Sequence, residues 1–123
     1  MTTTPEGRVS AALRQCVINA GGEIRKTQWQ GRVGAPDWLV MLKGGALFVE
    51  TKAPGARPRK SQLVEFGRIE RASGIHVLVI DRAANAGVAV KALEYLYEGN
   101  VEEYTRLCNL HGFLKYTEVT LCG

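Results

Sequence analysis

The chain is expected to form an α/β domain of order αβββαβ, with helices packed on both sides of a mixed sheet. Two stretches with helical spacing of apolar residues lie at the start of the chain and after residue 58. Between them, Leu39-Val40-Met41-Leu42 and Leu47-Phe48-Val49 are apolar at every position, as expected of strands covered on both faces. Residues 75–80 form a short, β-branched, nearly uninterrupted apolar run, the mark of a buried strand.

Thr4 as N-cap, Pro5 at the first helical position and Glu6 in the first turn open a helix with an apolar stripe of Val9, Ala12, Leu13, Cys16, Val17 and Ala20. Gly21-Gly22 stops it. Glu6 precedes Val9 by three residues and Leu13 by seven, so it heads the inward stripe. An acid there either complements the helix dipole or serves a metal site, and the residues leave both open. Residues 23–29 form a first strand, followed by a hairpin broken at Gly44-Gly45. A second helix runs from Pro58 or Arg59 to Ser73, turns Leu63, Phe66 and Ile69 inward, and ends at Gly74. Gln62, in its first turns, hydrogen-bonds an active-site water or lies in solvent. The 75–80 strand is placed at the sheet centre, with His76 as a structural strand residue.

Beyond Asp81, residues 88–97 read as an amphipathic helix closed by Gly99. Asn100 and Glu103 form an N-cap arrangement for a short helix to about Leu110. Residues 113–121 alternate as a final strand, completing the sheet or forming a subunit interface. At 123 residues and 46% hydrophobic content the chain fits one domain, 1–123, with no internal repeat. No apolar stretch approaches the roughly 18 residues that span a bilayer, and Thr2-Thr3-Thr4-Pro5 lacks a signal core, so an intracellular protein is expected. The widely spaced Cys16, Cys108 and Cys122 fit reduced thiols. Cys108, His111 and Cys122 offer three zinc ligands without an evident fourth, against the ordinary reading of core cysteines and a surface histidine.

The chemistry lies on the hairpin. Glu50 and Lys52 are two apart on a strand and share a face. If Gly44-Gly45 is a two-residue turn, Lys43 pairs with Ala46, Leu39 with Glu50 and Asp37 with Lys52, which brings all three charges to one face. Asp37 and Glu50 are then diagonal neighbours about 7–8 Å apart at Cα, a span two carboxylates can bridge with one divalent cation. Two acids and an ammonium suit phosphodiester hydrolysis: the acids hold Mg²⁺, and the lysine orients water or stabilises developing charge. An exposed strand ending in an ordinary Glu/Lys pair is the plain alternative.

The net charge of +4 is moderate, but its cations cluster. Arg25, Lys26, Arg32 and Lys43 lie around the hairpin, and Arg57, Arg59 and Lys60 follow Lys52 in a Pro/Gly-rich loop. Cations beside the acids favour a polyanionic substrate, which the acids alone would repel. Trp29 and Trp38 stack on bases or, more commonly for this residue type, pack inside.

Gly34-x-Pro36-Asp37, a hairpin, Glu50-Thr51-Lys52 and a downstream Gln62 resemble the P-D-(D/E)-x-K nuclease superfamily, and within it the VRR-NUC family of stand-alone phage and fused repair nucleases, from about residue 6 to residue 81. The resemblance implies a restriction-endonuclease-like core over residues 5–81. It implies metal ligation by Asp37, Glu50 and the Thr51 carbonyl, with Lys52 as catalytic lysine, Gln62 as a helix-borne active-site residue and Glu6 as a further acid. It also implies Mg²⁺, for which Mn²⁺ substitutes. The implied activity is structure-selective cleavage of DNA, including branched, Holliday-junction-like DNA, by a homodimer with residues 82–123 as candidate interface. A cytoplasmic location follows, in the host cell if the protein is phage-encoded. A non-catalytic nucleic-acid-binding module and a structural subunit of a phage or repair complex are the alternatives. The full set of Asp37, Glu50 and Lys52 favours the enzyme, since a binding module gains nothing from acids beside a phosphate path.

Overall fold

The computed structural model describes residues 3–117. Helix α1 (Pro5–Asn19) begins as the sequence dictates: Thr4 accepts a hydrogen bond from Gly7 N at 2.9 Å, and Val9, Leu13 and Val17 are buried. The chain turns into strand β1 (Glu23–Lys26) through Gly22, where a Cβ would lie 2.6 Å from the Met41 carbonyl oxygen. Strand β1 is shorter than the expected 23–29. After Lys26 the backbone leaves the ladder in a loop with positive φ at Gly31 and Gly34. Thr27 ties that loop back, donating its N–H to Asp37 O at 2.9 Å and its hydroxyl to Pro36 O.

Strands β2 (Trp38–Leu42) and β3 (Gly45–Thr51) form the hairpin, and β4 (Leu78–Ile80) completes a mixed sheet of order β1-β2-β3-β4, with only the β3–β4 pairing parallel. The hairpin turn is Lys43-Gly44 rather than Gly44-Gly45. Leu42 pairs with Gly45 and Leu39 with Phe48, two places from the expected register. Positive φ at both Lys43 (53°) and Gly44 (83°) gives the primed turn that matches strand twist. Gly45 serves packing instead, since a Cβ there would lie 2.0 Å from the Tyr97 ring. Because the slip is even, every side chain keeps its face. Continued by one step, the ladder sets Asp37 directly opposite Glu50 instead of diagonal to it.

Helix α2 (Lys60–Ser73) covers one face of the sheet and closes at Gly74 in the left-handed conformation. The other face carries α1, α3 (Ala86–Tyr97), which follows a 3₁₀ turn at Ala83–Asn85, and α4 (Val101–His111), capped by Asn100 Oδ1 accepting from Glu103 N at 3.2 Å. Strand β4 lies at the end of the sheet, not at its centre. Its burial comes from helices on both faces and from Val79 N donating to Phe113 O at 3.0 Å along the outer edge. An all-apolar run reports cover, not position in the strand order. Val77, expected inside that strand, donates its N–H to Glu70 Oε2 at 3.1 Å instead.

Residues 112–116 are turns, so the described part of the expected final strand is not a strand, and residues 118–121 lie outside the described residues. Phe113 and Leu114 join α3 and α4 in the main core, which makes the described segment from α3 to Leu114 part of that core. Cys108 is fully buried, its thiol pushed up to about 12 by burial, as a core cysteine should be; Cys122 lies outside the described residues. Among the described residues no helix is long and apolar enough to cross a membrane.

Candidate active site

At the C-terminal end of β3 the side chains alternate as the pleat requires. Thr51 turns toward α1, and Glu50 and Lys52 turn toward α2. Glu50 is 1% exposed and receives three donors. Its Oε1 accepts from Asp37 N at 2.9 Å, and its Oε2 accepts from Gln62 Nε2 at 2.7 Å and lies 2.9 Å from Lys52 Nζ. Gln62 is buried, and its Oε1 accepts from Arg59 N at 3.0 Å, which turns the amide NH₂ onto Glu50.

Asp37 Oδ2 accepts from both Thr51 N at 3.2 Å and Thr51 Oγ1 at 3.1 Å. The Thr51 hydroxyl, having given its proton to Asp37, accepts from Trp38 Nε1 at 3.2 Å and from Ser10 of α1 at 2.7 Å. Helix α1 therefore braces the site through Ser10. Glu6, one helical turn earlier, is exposed. Gly34 explains the head of the Gly-x-Pro-Asp segment: its φ is 94°, and a Cβ would lie 2.4 Å from Ser61 O in the first turn of α2. Glycine alone lets the loop close onto the helix that carries Gln62.

Burial raises the Glu50 carboxyl above its ordinary value, and the Asp37 carboxylate raises it further; Lys52 and Gln62 pull the other way. Two like charges driven together in a dry setting form the environment a cation relieves. Among the described residues no group of three or more His, Cys, Asp or Glu side chains stands close enough to hold a metal. The oxygen donors that could hold a metal here are the carboxylates of Asp37 and Glu50 and a neighbouring backbone oxygen such as that of Thr51. Mg²⁺, which keeps several waters and binds through one or two carboxylates, fits that set; zinc does not.

No family model matches the chain. A solved structure described as a VRR_NUC domain is similar, with 34% sequence identity and a TM-score of 0.64, covering 72% of this chain and 96% of that one. The chain belongs to the VRR-NUC family. "Putative nuclease p44" of Acyrthosiphon pisum secondary endosymbiont phage 1 is 47% identical over 77 residues, 62% of this chain and 82% of that protein.

In this VRR-NUC chain the cations divide by position. Lys26 and Arg14 sit over the Trp38 ring, 5.0 and 5.8 Å from its centroid, close to the Asp37 end of the hairpin. Arg57 and Arg59 are exposed between Lys52 and α2, with Arg57 over Tyr116, and Lys60 is exposed at the first position of α2. Arg25 is paired with Glu23 at 2.9 Å and Arg32 with the buried Glu65 at 3.7 Å. Lys43, in the hairpin turn, is 4.0 Å from Glu94 and about 20 Å along the strand from Asp37, at about 3.4 Å per residue. Trp38 is a core residue, and Trp29 packs edge-on against Phe48. Sequence reasoning passed over Ser10, Thr27 and the Thr51 hydroxyl. Ser10 stands four residues after Glu6 on the same helix face, a signal that was available.

Proposed function

We propose that this protein is a metal-dependent DNA endonuclease that hydrolyses phosphodiester bonds. The observation that carries this reading is the convergence of Asp37, Lys52 and Gln62 on the buried Glu50. When bound, Mg²⁺ supplies charge to polarise the scissile phosphate and lower the pKa of an attacking water. Asp37 and Glu50, with the Thr51 carbonyl, are the residues to hold it. Asp37 is kept in place by Thr51, and Glu50 by Gln62, so each carboxylate is held by a neighbour of its own. Lys52, now paired with Glu50, would donate from Nζ to a phosphate oxygen or to the attacking water. Glu6 is an outer acid at most, one turn from Ser10.

The finer reading is a branched DNA substrate cut by a homodimer, two sites suiting paired incisions on a near-symmetric junction. Exposed Val101 and Leu110 on α4 are apolar side chains left for such a contact. Cleavage of linear, flapped and four-way DNA with and without Mg²⁺, with Glu50→Ala as control, tests the activity and its selectivity. Wild-type cleavage in Mg²⁺ alone supports it, and equal cleavage by Glu50→Ala overturns it. Light scattering showing a monomer at micromolar concentration, with equal rates on linear and four-way DNA, overturns the finer part.

A further inference from the structure

Beside the catalytic cluster, and sharing α2 with it, lies an open cleft of about 630 Å³ lined by Gly31, Arg32, Val33, Lys60, Ser61, Val64 and Arg68. Lys60, Val64 and Arg68 recur every four residues and make one stripe along the helix, while Gln62 turns away to Glu50. The stripe runs about 12 Å at 1.5 Å per residue, the length of three to four nucleotides at about 3.4 Å rise.

The wall of this cleft is organised from beneath. Glu65 is 4% exposed, and its Oε1 lies 3.7 Å from Arg32 Nη1 and 3.6 Å from Arg68 Nη1 without a hydrogen bond to either. The two guanidinium groups would repel one another; a shared buried carboxylate holds them on one wall. Both arginine side chains are more than half exposed, at 55% and 56%, so each keeps N–H donors facing the cleft. Val33 and Val64, 74% and 43% exposed, add apolar surface between these cations and Lys60. Cations grouped around exposed valines match an amphipathic anion: phosphate for the arginines, sugar or base for the valines.

We infer that this cleft seats a nucleic-acid strand flanking the scissile phosphate, with Arg32 and Arg68 on one phosphate, Lys60 on another, and Val33 and Val64 against the sugar or base between them. The inference rests on the nuclease reading for its substrate class and adds Arg68, Val33, Val64 and the positioning role of Glu65.

The test is binding of fluorescein-labelled single-stranded and duplex DNA in EDTA across a salt series, on wild type, Arg68→Ala, Arg68→Lys, Val64→Ser and Glu65→Gln, with thermal melts confirming that each variant folds. Arg68→Ala is expected to weaken binding about tenfold and to lower the salt slope by about one, and Arg68→Lys to restore the slope. Val64→Ser should weaken binding about fourfold, the worth of one methylene removed from water, with the slope unchanged. Glu65→Gln should weaken binding while the arginines remain. Stronger loss on the single strand identifies a splayed strand, and equal loss identifies a duplex flank. Unchanged affinity and slope in Arg68→Ala overturn the inference while wild-type Mg²⁺-dependent cleavage stands. No cleavage and no DNA binding by wild type overturn both readings together.

Discussion

The two faces of the sheet are built from different materials. On the face covered by α1, α3 and α4, Val9, Leu13, Val17, Val40, Val49 and Leu93 belong to one continuous apolar core. On the α2 face the buried apolar set is Phe66, Val77 and Val79, and the buried space beside it is taken by Glu50, Gln62, Glu65, Glu70 and His76. The contrast separates labour. One face holds the fold together by removing apolar surface from water, and the other keeps charged and polar groups buried at the cost of stability. His76 shows that cost: burial lowers its pKa despite Glu70, and its Nε2 has no hydrogen-bond partner.

The contrast breaks most visibly in activity. Asp37→Ala, Glu50→Ala and Lys52→Ala should each lower Mg²⁺-dependent cleavage by about 10³-fold or more, roughly 4 kcal/mol of transition-state stabilisation, while circular dichroism and metal-free DNA binding stay close to wild type. Retained turnover in any of the three purified variants contradicts the assignment of that residue. In stability the faces exchange roles. Leu13→Ala should cost about 3 kcal/mol by denaturant unfolding, and Ile69→Ala, on the half-buried α2 side, about 1 kcal/mol. Equal losses would mean that the two faces carry the fold alike.

The face that carries Glu50 and Lys52 was more legible in the sequence than the sheet around it. Even spacing of Glu50 and Lys52 fixes their shared face whatever the turn does, and the parity of the hairpin places Asp37 there too, so an error of two in register left the face assignment intact. Turn chemistry misled because Gly44 and Gly45 look alike in sequence. Only the Tyr97 ring pressed onto Gly45 assigns one to packing and the other to the turn. Strand order was illegible for β4, since helices covering an end strand produce the same apolar run as flanking strands do. Buried Gln62 is legible as a candidate site residue only through the Gly-x-Pro-Asp, Glu-x-Lys and Gln set as a whole. By residue type alone glutamine belongs in water.

Smaller effects sharpen the same comparison. Neutralising Arg57, Arg59 and Lys60 together should flatten the salt dependence of DNA binding by up to about one unit of slope for each lost phosphate contact, leaving the melting temperature within about 2 °C. An unchanged slope would route the phosphates over Lys26, Arg32 and Arg68 and remove Lys60 from the contacts of the α2 cleft. The acid itself should show its cost last. Because the folded-state pKa of Glu50 is raised, its ionised form is disfavoured in the native state, and that penalty is present above the folded value and disappears as pH falls below the ordinary 4.5. Glu50→Gln without metal should therefore gain in melting temperature relative to wild type as pH rises from acid to neutral, with the difference closing in acid. A gap independent of pH would assign the gain to packing.

The claim that the α2 face is a metal site is tested most directly by calorimetric titration with Mn²⁺. Wild type and Lys52→Ala should bind, whereas Asp37→Ala and Glu50→Ala should show no heat above dilution, because the acids hold the ion and the lysine acts on the phosphate or water. Wild-type Mn²⁺ affinity in Asp37→Ala and Glu50→Ala would contradict the account and move the ion away from this carboxylate pair.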